Sequence, residues 1–380
     1  MNKEFEGMTM KTVYPALLSS LEQAKQLPVP RCIDCSDPQI FQGEEVLSLG
    51  DLGVVKGLNK PRCTVKVEKV FADTFDAPAA LLVRGSGTGA IRWALTACLK
   101  PGDAILVHTS PIYTTTQVTI DAMGLKPIRA DFNDLEQLKA VCAQHKDEIR
   151  GALVQLTRQK PEDRYDYKAV IASIKAALPG IPVVTDDNYA ALKVDAIGCQ
   201  AGADLSTFSC FKILGPEGVG AVIGSKELID RIYKMQYSGG SQVQGHEATG
   251  GPARPDLCAG ALAIQSEVNE ELVRRLNAGE IPHVRQAFLA NAQSKVLLVE
   301  FDQEIAEKIL DAAPKFGAAP HPVGSESKYE FAPMIYRVSG TFRAQDPTIE
   351  HRMIRINPMR SGPDTIIRIL RSCMEQVEEN

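Results

Sequence analysis

The sequence predicts an α/β protein in which helices cover both faces of a mainly parallel sheet, followed by a smaller C-terminal α+β domain. Two observations predict this class. Short apolar runs alternate with stretches of helical period from about residue 65 to 260, and alternation at this spacing is typical of a parallel sheet. The runs also lack polar alternation, as expected for strands that are buried on both faces.

The predicted elements follow the chain in order, with strands where apolar residues run together and helices where they recur at helical spacing. In the first region the strands are 79–84, 104–108, 126–130, 152–156 and 181–185, and the helices are 90–99, 114–123 and 167–177. A long helix at 261–276 then leads into strands 295–301, 334–338 and 353–357 and helices 305–313 and 364–377. We expect a large domain over 51–260, a small domain over 261–380, and an N-terminal segment, 1–50, that belongs to the small domain or forms a dimer arm.

Composition excludes several classes of protein. The chain has 380 residues, of which 44% are hydrophobic and 23% charged, with a net charge of −5. It has no basic stripe, which argues against nucleic-acid binding, and no apolar run of about 18 residues that could cross a membrane. The N-terminus lacks the apolar core of a signal peptide, so we expect a cytoplasmic protein with reduced cysteines and no metal site.

A glycine-rich segment, RGSGTGA at 84–90, stands between a predicted strand and a predicted helix. Its glycines allow the backbone to approach a ligand closely, and the helix N-terminus offers free N–H groups to an anion. Ser86 and Thr88 add hydroxyl groups on either side of Gly87. The segment therefore predicts a phosphate site, although it fits only the relaxed dinucleotide-binding pattern and is not a Walker A loop.

Two further segments carry charged residues in apolar surroundings. Asp186 and Asp187 end a buried strand, where a carboxylate can hold a positive charge such as a protonated ring nitrogen. Lys212 stands between apolar residues in the sequence FSCFKILG, at 208–215. Burying an ammonium is costly unless it is paired or its pKa falls, and a lysine with a lowered pKa is suited to forming a Schiff base.

Together these segments supply a phosphate-binding turn, a carboxylate for a ring nitrogen and a Schiff-base lysine, which are the groups that pyridoxal phosphate requires. From about residue 50 to 380 the chain resembles the fold-type I pyridoxal-phosphate-dependent enzymes, the superfamily of aspartate aminotransferase and cystathionine lyase. Within that superfamily it is most similar to the bacterial YhfS-like family. The resemblance implies the three-layer αβα fold, pyridoxal 5′-phosphate as cofactor and an amino acid as substrate.

The resemblance also implies roles for individual residues. Lys212 is the Schiff-base lysine, and the aligned strand selects Asp186 for the ring nitrogen, with Asp187 as the alternative. The ring of Tyr113 stacks on the cofactor and Arg355 binds the substrate carboxylate, with Arg360 as the second choice. The remaining cofactor-binding residues implied are Ser86, Gly87, Thr88, Tyr189, Ser209 and Ser241, the last in a loop that reaches the phosphate of a neighbouring subunit in a homodimer.

Two departures from the aminotransferase pattern bear on the reaction. The arginine that follows the Schiff-base lysine is replaced by the sequence GPEG at 215–218, and the residue that contacts the ring hydroxyl is left open among Thr157, Arg158 and Gln159. We therefore favour a lyase of cysteine and methionine metabolism, in which Lys212 removes the α-proton. The alternatives are an aminotransferase, a protein that binds the cofactor without turnover, and a nucleotide-binding oxidoreductase.

Overall fold

The computed structural model of the chain describes residues 40–41, 48–157, 163–236, 242–249, 255–290, 296–319 and 332–379. These residues divide into two compact units. The larger unit contains the described residues up to Thr157 and those from Arg164 to Ala259. The smaller unit contains Asp163 and the described residues from Gly260 onward.

The larger unit contains seven strands and most of the helices. Its elements in order are α1 (Arg62–Thr74), β1 (Ala79–Arg84), α2 (Ser86–Cys98), β2 (Ala104–His108), α3 (Thr114–Ala122), β3 (Lys126–Ala130), α4 (Leu135–Gln144), β4 (Ile149–Gln155), α5 (Tyr167–Ala177), β5 (Val183–Asp186), β6 (Leu205–Ser209), a 3-10 helix (Cys210–Ile213), β7 (Val219–Gly224), α6 (Lys226–Gln236) and α7 (Gly245–Thr249). The side chains of Asp134 and Asp166 accept hydrogen bonds from the first amides of α4 and α5, which explains where these two helices begin.

The seven strands form one sheet in the order β1-β7-β6-β5-β4-β2-β3. β3, β2, β4, β5 and β6 are parallel, whereas β7 is antiparallel to both of its neighbours, β6 and β1. Alternate strand residues, among them Leu81 and Val184, pack with α2, α3 and α6 in one apolar core. On the opposite pleat Phe208 contacts Phe71 and Phe75, so α1 covers the other face. The predicted α/β class with a mainly parallel sheet between helical layers is confirmed.

The smaller unit is built around an antiparallel sheet of four strands. A helix that spans the boundary between the units, α8 (Pro255–Asn277), is followed by β8 (Val284–Ala290), β9 (Val296–Phe301), α9 (Ala306–Ala312), a 3-10 helix (Ala313–Phe316), β10 (Met334–Arg337), α10 (Gly340–Gln345), α11 (Ile349–Arg352), β11 (Met353–Asn357) and α12 (Pro363–Glu378). The strand order is β10-β11-β9-β8, and α8, α9 and α12 pack on this sheet in one core. The predicted α+β character of this region is borne out.

Several predicted elements differ from the structure. The helix predicted at 90–99 begins at Ser86, because the glycine-rich turn is itself the first turn of α2. The strands β6 and β7 were not predicted, since buried hydroxyls in LSTFS and glycines in VGAVIG obscure their apolar character. β8 also lacks a continuous apolar run, because Arg285 and Gln286 interrupt it.

Candidate active site

The candidate site lies at one edge of the seven-stranded sheet, where the parallel strands end. β5 ends at Asp186, β6 ends at Ser209, and the 3-10 helix that follows β6 carries Lys212. β1 runs in the same direction as β6, because both pair antiparallel with β7. The end of β1 and the start of α2 therefore reach the same edge, which is where α/β proteins bind ligands.

Hydrogen bonds to a neighbouring loop fix the glycine-rich turn between β1 and α2. Gly85 has a φ of 101°, and the amides of Gly85 and Ser86 donate to the carbonyl of Gly218 at 2.8 and 3.0 Å. The Ser86 hydroxyl donates to the carbonyl of Glu217 at 3.0 Å. The Ser86 and Gly89 amides of the first turn of α2 already have acceptors, whereas those of Gly87 and Thr88 have none among the described residues and are available to an anion.

The next two residues of the turn, Gly87 and Thr88, each lie against a neighbouring segment. A Cβ on Gly87 would lie 2.6 Å from Asn188 Nδ2 and 2.7 Å from Asn188 Oδ1, so a larger residue cannot occupy this position without displacing Asn188. Thr88 Oγ1 donates to Thr115 Oγ1 at 2.9 Å. The turn thus offers amides of a helix N-terminus, which fit a phosphate monoester, and two hydroxyl groups lie beside these amides.

The two adjacent carboxylates at the end of β5 occupy different surroundings. Successive residues of a strand point to opposite faces of the sheet, and Val184, two residues before Asp186, packs in the core that contains α2. Asp187 instead accepts hydrogen bonds from Thr185 Oγ1 at 2.5 Å, Gly198 N at 2.7 Å and Thr207 N at 3.2 Å. Both oxygens of Asp187 are therefore engaged in holding the backbone.

The carboxylate of Asp186 has fewer protein donors. Its Oδ1 accepts from the backbone N of Asn188 at 3.0 Å and from Asn188 Nδ2 at 2.8 Å. Among the residues that the structure describes, none donates to Oδ2. Burial raises the pKa of Asp186 to about 6, while the hydrogen bonds from Asn188 and the positive charge of Lys212 act to lower it. Asp186 is thus the buried carboxylate that interacts electrostatically with Lys212.

The half-buried Lys212 is held against Tyr189. Its Nζ donates to Tyr189 Oη at 2.6 Å and lies 4.3 Å from the centroid of the tyrosine ring. A second lysine, Lys193, is only 4% exposed, and its Nζ lies 5.4 Å from the same ring. Tyr189 has a φ of 65° and Leu214, two residues after Lys212, a φ of 59°. Such backbone strain in residues other than glycine is concentrated at functional sites.

These residues fit pyridoxal phosphate on three separate observations. The turn at Ser86 offers anion-binding groups. Asp186 is a buried carboxylate, and one of its oxygens accepts no hydrogen bond from the described residues. The amine of Lys212 is close enough to interact with the charge of Asp186. Ser209, three residues before Lys212, is buried at the end of β6. The phosphate, the ring nitrogen and the carbonyl carbon of the cofactor would each find a partner of suitable chemistry.

The other predicted site residues are distributed more widely. Tyr113 immediately precedes α3 and is 44% exposed, and Thr157 is buried shortly after β4. Arg355 lies on β11 in the smaller unit, where its guanidinium carbon is 4.1 Å from the centroid of the Tyr336 ring. Arg360 follows β11 and is exposed. Ser241, Arg158 and Gln159 lie outside the described residues.

Two residues of this site were missed by the sequence analysis. Asn188 contacts Asp186 and Gly87, and its Oδ1 accepts from Ser209 N at 2.9 Å. The pattern Asp-x-Asn at a strand end, which is typical of a hydrogen-bonded turn, is a signal that could have found it. Lys193 had no such signal, because its burial results from residues that are distant in the sequence.

The described residues contain neither a cluster suited to a metal ion nor a helix suited to a membrane. No group of three or more histidine, cysteine, aspartate or glutamate side chains there is arranged to hold a metal ion. None of the helices in the described part of the chain is long and apolar enough to span a membrane.

Comparison with known proteins identifies the family. The sequence model of the aminotransferase class-V family matches residues 64–276, and that of the YhfS-like C-terminal domain matches residues 270–370. The chain is 53% identical to the protein YhfS of Escherichia coli K12 over 343 residues, which cover 89% of this chain and 92% of YhfS. The crystal structure of Escherichia coli YhfS, described as pyridoxal-5′-phosphate dependent, superposes with a TM-score of 0.91 at 50% identity and covers 96% of this chain and 99% of YhfS.

More distant relatives share the fold or part of the sequence. The chain is 31% identical to L-methionine γ-lyase of Pseudomonas putida over 164 residues, or 40% of this chain and 38% of the lyase. The structure of a cystathionine γ-lyase from Micromonospora echinospora superposes with a TM-score of 0.64 at 18% identity, covering 83% of this chain and 87% of that one. The chain therefore belongs both to the aminotransferase class-V family and to the YhfS-like family.

Proposed function

We propose that the protein is a pyridoxal-phosphate-dependent lyase that acts on an amino acid of the cysteine and methionine type. The relationship to YhfS confirms the predicted cofactor, because YhfS is described as a pyridoxal-5′-phosphate-dependent protein. The observation that carries the proposal is the position of Lys212, whose amine contacts Tyr189 and interacts with the buried carboxylate of Asp186. This arrangement lies at the sheet edge where the glycine-rich turn begins α2.

In this proposal each part of the cofactor is bound by a different segment. The start of α2, with Ser86, Gly87 and Thr88, would bind the phosphate together with Ser209 and with Ser241 of a second chain. Asp186 would hold the proton of the ring nitrogen, and Tyr113 and Tyr189 would contact the ring. When bound, the cofactor withdraws electrons from the α-carbon of the substrate.

The residues of this chain then bind the substrate and move its proton. Arg355 binds the substrate carboxylate through its guanidinium, which pairs with a carboxylate through two parallel hydrogen bonds. Lys212 Nζ takes the α-proton as general base, and the hydroxyl of Tyr189, 2.6 Å from that nitrogen, holds the amine when it is not bonded to the cofactor. With a pKa of about 6, Asp186 is ionised at neutral pH and stabilises a protonated ring nitrogen.

The choice between lyase and aminotransferase depends on the fate of the substrate after proton removal. The 31% identity to L-methionine γ-lyase over 164 residues supports a lyase. The match to the aminotransferase class-V family supports an aminotransferase as the second candidate. A lyase releases a leaving group from the β- or γ-carbon with ammonia and a keto acid, whereas an aminotransferase releases a keto acid without ammonia.

We also propose that two copies of the chain form a homodimer that completes the site. The segment 49–58 supports this, because three of its apolar side chains are largely exposed in the single chain: Leu49 is 88%, Leu52 70% and Val54 62% exposed. A group of exposed apolar side chains close together is a feature of protein interfaces. Light scattering during size-exclusion chromatography measures the mass, and we expect twice the 41.3 kDa of the chain; a single-chain mass contradicts the dimer.

The experiment that tests the cofactor site compares the wild type with Lys212→Ala. Both proteins are incubated with pyridoxal phosphate, reduced with borohydride and digested. Mass spectrometry then measures the mass of the peptide that contains residue 212. We expect a phosphopyridoxyl group on Lys212 of the wild type and no covalent label in the variant. Labelling of another lysine, or no labelling, contradicts the assignment.

A panel of amino acids then separates the candidate reactions. Ammonia, keto acid and sulfur-containing products are measured for each amino acid, together with the visible spectrum of the bound cofactor. Ammonia and keto acid in equal amounts indicate a lyase, and keto acid that depends on an added 2-oxo acid indicates an aminotransferase. A spectrum that responds to none of the amino acids favours a protein that binds the cofactor without turnover.

A further inference from the structure

Asn188 contacts three parts of the candidate site. Its backbone N and its Nδ2 both donate to Asp186 Oδ1, at 3.0 and 2.8 Å. Its Oδ1 accepts from the backbone N of Ser209 at 2.9 Å. Its side-chain amide also packs against the Cα of Gly87, since a Cβ there would lie 2.6 Å from Asn188 Nδ2. One amide side chain thus joins the ends of β5 and β6 to the first turn of α2.

We propose that Asn188 is a positioning residue that orients the carboxylate of Asp186 toward the cofactor ring and keeps it in register with the phosphate turn. This inference rests on the proposed cofactor site. Both donors of Asn188 bind the same oxygen of Asp186, and none of the described residues donates to the other oxygen. The hydrogen bonds therefore fix the carboxylate plane while one oxygen is left for a proton on the ring nitrogen of the cofactor.

The charged groups around Asp186 support an electrostatic role for Asn188. Burial raises the pKa of Asp186 to about 6, and the hydrogen bonds from Asn188, with the positive charge of Lys212, act against this rise. Asp187 is the adjacent carboxylate, and the charge of Asp186 contributes to raising the pKa of Asp187. On the neighbouring strands the residues paired with Asp186 are Gln155 and Thr207, which carry no charge. Loss of the Asn188 donors is expected to raise the pKa of Asp186 further.

The chain contains a matched control at the end of β3. There the backbone N and the Nδ2 of Asn133 donate to Asp131 Oδ1 at 2.9 and 2.8 Å, and Asn133 Oδ1 accepts from the backbone N of Arg164 at 2.6 Å. The hydrogen bonds are of the same three kinds as those of Asn188, but Asn133 is exposed. A change at Asn133 therefore measures what this turn contributes to the fold away from the proposed cofactor.

The experiment measures the dissociation constant of pyridoxal phosphate, from pH 5.5 to 8.5, for the wild type and four variants of the full chain. Asn188→Ala removes the side-chain donor and acceptor without adding a charge. Asn188→Asp keeps the shape of the side chain and the acceptor for the backbone N of Ser209, but it replaces the Nδ2 donor to Asp186 with a carboxylate oxygen that cannot donate. Asn188→Ser introduces a small hydroxyl that can donate to Asp186. Asn133→Ala is the control. Thermal unfolding of each protein without cofactor reports how far each change affects the fold.

We expect Asn188→Ala to weaken binding at neutral pH by about 10- to 100-fold, the range for a lost hydrogen bond to a charged group. Asn188→Asp should bind pyridoxal phosphate at least as weakly as Asn188→Ala, and Asn188→Ser should recover part of the wild-type affinity. As the pH falls, Asn188→Ala should lose affinity at a higher pH than the wild type, because binding needs Asp186 ionised. Asn133→Ala should bind like the wild type at every pH.

Three results would overturn the inference while leaving the proposed function standing. Wild-type affinity in Asn188→Asp would mean that Asn188 only fills space beside Gly87. An unchanged pH profile in Asn188→Ala would mean that Asn188 does not act through Asp186, and equal losses in Asn188→Ala and Asn133→Ala would indicate a role in folding alone. If the wild type itself binds no pyridoxal phosphate, the proposed function fails and this inference fails with it.

Discussion

The ends of β3 and β5 carry the same hydrogen-bonded turn, yet only one lies in the candidate site. At both ends an asparagine donates twice to one oxygen of an aspartate two residues earlier and accepts from a distant backbone amide. Asp131 lies at the end of the edge strand β3, and its side chain is 41% exposed. Asp186 ends β5 in the middle of the sheet and is 5% exposed as a residue.

This comparison separates the local turn from its chemistry. The turn depends on short-range hydrogen bonds, which a few residues of the right type form wherever a strand ends. The chemistry depends on burial, because removing water raises the pKa of Asp186 and strengthens its interaction with Lys212. The same three kinds of hydrogen bond thus make a surface turn at β3 and a candidate cofactor contact at β5.

The largest difference between the two strand ends is expected when each aspartate is replaced by asparagine. Asp186→Asn cannot carry the negative charge that holds the proton of the ring nitrogen, so we expect kcat of the reaction found in the amino-acid panel to fall by about 10²-fold or more. Asp131→Asn is expected to leave kcat within about twofold of the wild type, because an exposed substitution has little effect. Steady-state kinetics of the two loaded proteins make the comparison, and equal rates contradict the role of Asp186.

A second effect, on stability, is expected at the neighbouring carboxylate of β5. Asp187→Ala leaves the donors of Thr185, Gly198 and Thr207 without their acceptor, and we expect a loss of about 3 kcal/mol in the free energy of unfolding. Asp131→Ala should cost about 1 kcal/mol or less, since water replaces the exposed carboxylate. Urea unfolding of the protein without cofactor measures both values. Similar losses in the two variants would mean that the buried hydrogen bonds of Asp187 add nothing.

The same carboxylate should also make stability depend on pH. Burial raises the pKa of Asp187 from 3.8 to about 6, so the folded chain holds its proton more tightly than the unfolded chain. The stability from this group is complete below pH 3.8 and is lost as the pH rises through about 6. Relative to Asp187→Asn, which does not titrate, the wild type should lose about 2 kcal/mol from pH 4 to 7. Parallel urea-unfolding curves for the two proteins over this range would contradict the prediction.

The smallest of these effects concerns the contact between the β5 turn and α2. Gly87→Ala places a methyl group 2.6 Å from Asn188 Nδ2, so we expect the affinity for pyridoxal phosphate to fall by about tenfold, which corresponds to about 1.4 kcal/mol. Gly362→Ala is the control, because no atom lies within 4 Å of a Cβ there and its φ is −75°. Cofactor titration measures both affinities, and a wild-type value for Gly87→Ala would show that Asn188 moves freely.

Much of the fold could be predicted because its strands are apolar and its glycine turn is conspicuous. The run at Ala79–Arg84 was predicted with the bounds that the structure gives, and so was the run at Ala104–His108. β6 was missed because its buried residues include Ser206 and Thr207, whose hydroxyls bond to Thr185 on the neighbouring strand and, for Ser206, also to the backbone N of Cys199. A buried polar strand cannot be recognised from its own residues, since its partners are supplied by other strands.

The sequence by itself determined the alternation of strands and helices, the glycine turn at the start of α2, and the residue types that suggested a cofactor. Only the tertiary structure decided that Asp186 lies on the pleat that faces the α2 core and interacts with Lys212, while Asp187 holds the backbone. It also brought Asn188 against Gly87 and Ser209, and it buried Lys193 beside Tyr189. The physical reason is that local patterns fix hydrogen bonds along the chain, whereas burial and charge depend on neighbours that are distant in sequence.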